Sequence, residues 1–437
     1  SSLYNMAFAF LFPAELRADL FQAAWQRVAD ASDALRTRVL DDGRGGARVV
    51  VDETAVATGL LDLSSERDPE AAFRALCRER CARVLPLDGP LVDSVLVRLG
   101  PGRTGWYLDQ HHLVADAWST QLLYRAVAAE YAGLAAGGMG EPPSIPGYYA
   151  TAAARPARAP ERAAALEHWA ARAARPGRTV PLYGRTGAPA GTPSRRETLS
   201  LDAGRSRALD RRALEAPFAS PSPELSRFAL LATLLAAYLH RASGQPELGF
   251  DAPVAGRPTA DARRTPGLFI EMFPFAAAVG PGETFRSLGA RCLEESMRFL
   301  RHALPGTSAP SGAAASNVVL NYVPGAFGPL AGVRPEVEWV HPGHGDAVHA
   351  LRLQVHDFAG TGRTTLHFDW NEGALPQPLR RRGLQHFEAL LDAFLADPDR
   401  EIAGVDVRVE EEREALAALN ATGAAPLPDR SVVALFE

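Results

Sequence analysis

The order of strand-like and helix-like segments predicts an α/β protein, with sheets and helices in α+β layers, and three observations carry that prediction. Each half of the 437-residue chain mixes short apolar runs with amphipathic stretches of helical period. Between residues 136 and 197 the composition shifts to Gly, Pro, Ala and Arg, and within it Pro176 to Arg195 reads as a passage between two lobes. The length is about three times that of a typical domain, and with 47% apolar residues the chain can build real cores.

Met6 to Phe12 is a compact apolar strand, and Pro13 then opens a helix in which Leu16, Leu20, Ala24 and Val28 recur every fourth residue. Arg36 to Leu40 and Arg48 to Val51 form a hairpin whose turn uses Asp41, Asp42, Gly43, Gly45 and Gly46. Residues 69 to 84 are helical, Leu91 to Leu99 and Trp106 to Gln110 pair around Gly100-Pro101-Gly102, and a long helix runs from Ala117 to Leu134. One helix lies near 160 to 174, and Pro176 to Arg195 is the passage. The second half has a buried helix at 224 to 242, strands at 248 to 254 and 269 to 279, and a helix at 284 to 303. A Gly- and Pro-rich loop, strands at 317 to 323, 349 to 358 and 364 to 370, and an amphipathic helix at 377 to 396 complete it.

Composition removes several chemistries. All 46 basic residues are arginine. Without lysine there is no Schiff base, no Walker-type phosphate lysine and no lysine base. No Gly-x-Gly-x-x-Gly follows a strand, which argues against a nucleotide-cofactor enzyme. The formal charge of −5 gives no global pull toward nucleic acid or an anionic membrane. The longest mainly apolar run, Phe228 to Leu239, is too short to cross a bilayer. Cys77, Cys81 and Cys292 cannot make a disulfide framework, so a cytoplasmic, soluble protein is expected. Cys77 and Cys81 lack a second pair to complete a zinc tetrahedron and read as small apolar helix residues.

The segment that carries chemistry is Asp109-Gln110-His111-His112-Leu113-Val114-Ala115-Asp116-Ala117-Trp118-Ser119, at the end of a strand and the start of a helix. The positive helix end favours a neutral imidazole, while the Asp116 carboxylate pulls the other way. Such a base takes a proton from an attacking amine or hydroxyl, or from an acidified carbon. A partial metal site lacks an obvious third ligand, and a packed His-Asp pair is the other reading. Neighbouring side chains on a strand face opposite ways, so one histidine faces a cleft and the other is held inside.

Here the sequence resembles the condensation domains of nonribosomal peptide synthetases, within the chloramphenicol acetyltransferase-like superfamily. Their H-H-x-x-x-D-G signature stands as His111-His112-Leu113-Val114-Ala115-Asp116-Ala117, with Ser119 in register. Tyr4-Asn5-Met6, Ala34-Leu35-Arg36-Thr37, Pro253-Val254-Ala255-Gly256-Arg257, Gly267-Leu268-Phe269 and Leu320-Asn321-Tyr322 are similar to other family elements, in order along the chain.

The resemblance implies two lobes forming a pseudo-dimer around a central tunnel: an N-terminal lobe at 1–178, a C-terminal lobe at 179–412 and a linker at 413–437 toward an adenylation domain. It assigns His112 to the active centre, His111 to the packed neighbour, Asp116 to a structural pair with Arg257, and Asn321 to the tunnel. It implies no intrinsic cofactor or metal. Substrates would arrive as thioesters on the phosphopantetheine of an upstream donor and a downstream acceptor carrier protein.

Three departures stand out: Ala117 for the motif glycine, Glu271-Met272 where Asn-Thr is usual, and Ser32-Asp33 for Arg-His. They are similar to the modified-amino-acid branch, which dehydrates carrier-bound serine to dehydroalanine. Glu271 would then be the acid that helps the hydroxyl leave, the alternative being a solvated strand residue. Amide formation, alone or with dehydration, is the expected activity. A catalytically silent recruitment platform and a free-standing acyltransferase for small alcohols are the alternatives.

Other segments read as structural. His341, His344 and His349 belong to an exposed loop, because Pro342 and Gly343 break any helix that would align them. His356-Asp357 and His367-Phe368-Asp369 are polar pairs on strands. Arg155 to Arg178 is either a solvated helix face or a surface for an acidic carrier helix or a phosphate.

Overall fold

The computed structural model describes residues 2–53, 56–138, 140–154, 159–174, 179–185, 191–308, 316–421, 433 and 436. The first half contains β1 (Asn5–Phe12), α1 (Ala18–Ala31), β2 (Thr37–Asp41), β3 (Ala47–Val51), β4 (Gly59–Asp62), α2 (Pro69–Cys81), β5 (Val92–Gly100), β6 (Arg103–His111) and α3 (Ala117–Ala135). Two shorter helices follow, α4 (Tyr148–Ala153) and α5 (Ala159–Ala173). Next come β7 (Ser194–Ser200), α6 (Ala203–Leu214), α7 (Pro223–Ser243), β8 (Glu247–Val254), α8 (Ala260–Arg264), β9 (Glu271–Ala278) and α9 (Phe285–His302). The chain continues through β10 (Val318–Val323), β11 (Glu336–Val340), β12 (Leu351–His356), β13 (Thr365–Asn371), α10 (Gln377–Ala396) and α11 (Glu410–Asn420).

These make a five-stranded sheet in the order β11-β1-β6-β5-β4, a six-stranded sheet in the order β7-β13-β12-β10-β8-β9, and the hairpin β2-β3. β1 is buried along its whole length because helices cover both faces of its sheet. Phe8, Phe10 and Phe12 point to the side of Trp25 and Tyr124, on α1 and α3, and Ala7, Ala9 and Leu11 to the side of Phe73 and Cys77 on α2. In the second half α7 forms the centre of the core, with every residue from Ala229 to Leu239 buried. Ser222 caps its start by accepting the Leu225 N–H at 3.3 Å, and Gly244, at φ 73°, ends it.

Mixed α/β layering is therefore observed, with local differences from the sequence reading. α1 begins at Ala18 rather than at Pro13, because the Leu16 N–H turns to the Thr104 hydroxyl at 3.0 Å. β4, β7, α6 and β11 have no counterpart in the sequence reading, and β11 leaves the second half to pair antiparallel with β1, Ala7 opposite Val340. Ala117 begins α3 and is not among the described residues with positive φ, so the extra methyl meets no backbone strain there. Asp33 accepts the Tyr148 N–H at 2.8 Å and so fixes the start of α4.

Cys77 and Cys81 are buried on α2, and burial pushes the Cys77 thiol up to about 12. Among the described residues no helix is long and apolar enough to cross a membrane. Residues 155–158 and 175–178 of the arginine-rich stretch, and 422–432 of the linker segment, lie outside the described residues. Within that stretch Arg172 forms a buried ion pair with Glu295, whereas Arg162 stays exposed while donating to the Gly306 carbonyl at 2.9 Å.

Candidate active site

β6 ends at His111, and the chain turns sharply before Asp116 caps α3. His111 is buried; its Nδ1 accepts the Leu113 N–H at 3.1 Å and its ring leans on Tyr4. His112 is pinned by its own N–H to the Tyr4 carbonyl at 2.7 Å. Its Nδ1 lies 2.9 Å from the Ala115 carbonyl, which can only accept, so Nδ1 carries the proton and Nε2 is left as the base. Burial lowers the His112 pKa below its usual 6.5, and this outweighs the opposing pull of Asp116 and the Ala115 carbonyl. The imidazole is therefore neutral near pH 7.

Asp116 is fully buried and anchors this turn across the two halves. Its Oδ1 accepts the Ser119 N–H at 2.8 Å and the Ser119 hydroxyl at 2.7 Å, and Oδ2 accepts the Phe269 N–H at 3.1 Å. Arg257 Nη2 reaches both oxygens, at 2.9 and 3.0 Å. The guanidinium does not grip the carboxylate with its whole fork: Nη1 donates to the Ala262 and Thr265 carbonyls, each at 2.6 Å. Ser119 completes the junction, its oxygen accepting the Gly267 N–H at 2.9 Å. Gly256, at φ 61°, permits the turn that leads into Arg257; a Cβ there would collide with the Phe269 carbonyl oxygen.

His112 lines a cavity of about 290 Å³ walled by both sheets. Met6, Ile270, Met272 and Trp339 supply apolar surface, and the second sheet supplies a polar floor. There the register places Arg352 opposite Asp369, and Asp369 opposite Arg196. Arg196 grips Asp369 through two bonds, of 2.6 and 2.8 Å. Burial pushes the Asp369 carboxyl up, but Arg196, His341 and Gln354 outweigh it and hold the group well below the carboxylate range. Asn321 lines the same cavity and donates to Gln354 Oε1 at 3.1 Å.

The loop from His341 to His349 is exposed at Gly343, His344, Ala347 and Val348, as the sequence predicts, but His341 and His349 are half-buried. His341, His344 and His349 line the cavity, and burial lowers the pKa of His341 to about 4. The alternation Leu351-Arg352-Leu353-Gln354-Val355 is the available signal, since period two puts Arg352 and Gln354 on one face. Among the described residues no group of three or more His, Cys, Asp or Glu comes together to hold a metal ion.

Glu271 stands at the start of β9. Ile270 and Met272 line the cavity while Glu271, between them, faces the other way. Its Oε1 accepts the Gly306 N–H at 2.6 Å and its Oε2 the Ser308 hydroxyl at 2.8 Å, so the carboxylate braces a loop rather than meeting His112. Of the paired departures, Met272 is the one that reaches the cavity. Glu271→Gln is expected to leave turnover within about threefold and to cost about 0.5–1.5 kcal/mol through weaker bonds to the loop. Turnover and urea midpoint measured together check this; a hundredfold loss of turnover at unchanged midpoint would restore the acid role.

Burial holds His341, His356 and His367 neutral, at about 4, about 3 and about 2. Each takes up its proton near 6.5 in the unfolded chain but only at lower pH when folded, so stability falls as pH drops below 6.5. Thermal melts from pH 7 to pH 4 should show a steadily falling midpoint, and a flat midpoint contradicts the neutral assignment.

Comparison with known proteins agrees with this geometry. The family model described as Condensation domain matches residues 1–306. A linear gramicidin synthase of Brevibacillus parabrevis is 26% identical over 99% of this chain and 6% of its own length. The isonitrile lipopeptide synthase of Streptomyces coeruleorubidus is 29% identical over 70% of this chain and 20% of its own. The chain thus spans a small part of these relatives. Among solved structures, the first condensation domain of the calcium-dependent antibiotic synthetase, in complex with a substrate analogue, superposes with TM-score 0.80 at 23% identity, over 93% of this chain and 94% of that one. The starter condensation domain of rhizomide synthetase superposes with TM-score 0.72 at 22% identity, over 94% and 95%.

Proposed function

Because the chain belongs to the condensation-domain family, we propose that it joins two carrier-bound thioesters by an amide bond, within a nonribosomal peptide synthetase. The observation that carries this reading is a neutral His112 whose Nδ1–H is spent on Ala115, beside a cavity walled by both sheets. The donor thioester is already activated, so holding the acceptor amine against its carbonyl supplies much of the acceleration. The amine nitrogen bonds to the carbonyl carbon, and the π pair moves onto oxygen. His112 Nε2 takes the ammonium proton. Collapse restores the carbonyl and expels the phosphopantetheine thiolate, which takes the proton back from the imidazolium. Asp116, Arg257 and Ser119 hold the histidine turn and do not touch substrate. Asn321 is placed to hydrogen-bond a group in the cavity.

The test loads flanking donor and acceptor carrier proteins with glycyl, alanyl, seryl, leucyl and aspartyl groups and reads intact masses after adding the chain. Transfer of the donor mass onto the acceptor is the expected result. Loss of one water from a carrier-bound seryl group without transfer would make the protein a dehydratase instead, and no change in any mass would leave a recruitment platform.

A further inference from the structure

Arg352 lies in the same cavity as His112, on β12 of the polar floor. It forms an ion pair with Asp346, and its Nη2 also lies 3.4 Å from His349 Nδ1. His349 Nδ1 is itself 2.7 Å from Asp346 Oδ2, so a single carboxylate orients both the guanidinium and the imidazole. Arginine carries five N–H donors and cannot be neutralised. Among the described residues only Nη2 is engaged, and Nε and Nη1 have no hydrogen-bond partner. The contrast with Arg196 is direct: that arginine is committed to Asp369 through Nε and Nη2 and to the Trp339 carbonyl through Nη1.

The charges of the cavity point the same way. The two arginines, 196 and 352, are matched by Asp346 and Asp369, so these four side chains leave no net charge for a resident anion. A group that becomes negative only during reaction is different, because it appears where donors already point and need not displace Asp346.

We propose that Arg352 is a catalytic residue that donates Nε–H or Nη1–H to the carbonyl oxygen of the thioester bound beside His112. The proposal rests on the reading that such a thioester occupies this cavity. When an amine attacks, the C–N bond forms and the carbonyl π pair moves to this oxygen. If instead a base removes the α-proton, the electron pair of the C–H bond moves through the new C=C to the same oxygen. Arg352 therefore serves the first step of either chemistry, and Asp346 is its positioning residue.

Steady-state transfer between the carrier proteins described above, using the aminoacyl pair that transfers fastest, tests this. Arg352→Gln should lower kcat by about 10²- to 10³-fold with KM within about threefold. Arg352→Lys, which keeps the charge but not the fork, should lose about tenfold, and Asp346→Asn should fall between wild type and Arg352→Gln. Full kcat in Arg352→Gln, or a loss confined to KM, overturns the proposal. A second readout is independent of turnover. The groups that face His112 are Asp116 and His111 on its own segment, Tyr4 ahead of β1, and Arg352 from β12. Because Arg352 lowers the affinity of His112 for its proton, NMR titration should show the His112 midpoint moving to higher pH in Arg352→Gln; an unmoved midpoint also overturns it. Wild-type chain that transfers no group refutes the amide-forming reading itself, whereas active wild type with an equally active Arg352→Gln refutes only the role of Arg352.

Discussion

Arg257→Leu is expected to lower the free energy of unfolding by about 3–5 kcal/mol, because it leaves the Asp116 carboxylate buried beside an apolar side chain. The pair is fully enclosed, with the side chains of Arg257 and Asp116 at 2% and 0% exposure, so solvent cannot take over the lost contact. Five groups close around it: Ser119, Ala262, Thr265, Gly267 and Phe269. Asp116→Asn should cost less, since an amide oxygen still caps α3 while only the charge is lost. A double-mutant cycle in urea gives the coupling between the two residues, expected at about 1 kcal/mol or more. The pair also joins the turn before α3 to the loop after β8, so the Arg257→Leu transition should broaden or split as the two halves lose their tie. A loss under about 1 kcal/mol with a single sharp transition would show that the neighbouring bonds suffice.

His112→Ala is expected to reduce amide formation by about 10²- to 10⁴-fold, the usual worth of a positioned proton acceptor. The activity that remains reflects positioning of the two thioesters and any donor to the carbonyl oxygen. The pH profile carries the sign. Only neutral imidazole accepts the ammonium proton, and burial lowers the His112 pKa, so the acid limb of kcat/KM should lie below pH 6.5. Activity should fall as pH drops through that limb. Single-turnover transfer followed by intact mass measures both effects, and undiminished transfer by His112→Ala would remove His112 from the chemistry.

What can be read in the sequence, and what cannot, follows from where polarity sits. β1, β5 and β6 and the long helices α3, α7 and α10 announce themselves by apolar runs or helical period, because their side chains fill cores. The residues at the turn stand out for a different reason: the His-His-x-x-x-Asp spacing lies between a strand and a helix start, and the family resemblance rests on it. β7, with the sequence Ser-Arg-Arg-Glu-Thr-Leu-Ser, is nearly silent because it is an edge strand whose Arg196 faces a polar cavity. The same polarity hides the floor, since Arg196, Asp369 and Gln354 satisfy one another across strands far apart in sequence. Glu271 is conspicuous in sequence as a change of residue type next to a motif, yet its carboxylate bonds to the loop at Gly306 and Ser308.

The seating of β11 beside β1 bears on synthesis. During translation β1 finds β6 about a hundred residues later, but its other edge stays open until Val340 leaves the ribosome. Until then the sequence Asn-Met-Ala-Phe-Ala-Phe-Leu-Phe presents a row of unpaired backbone donors and acceptors, the template on which foreign strands nucleate. The nascent first half thus carries this open edge over more than two hundred residues of elongation, and the native strand that ends this exposure is delivered by the second half.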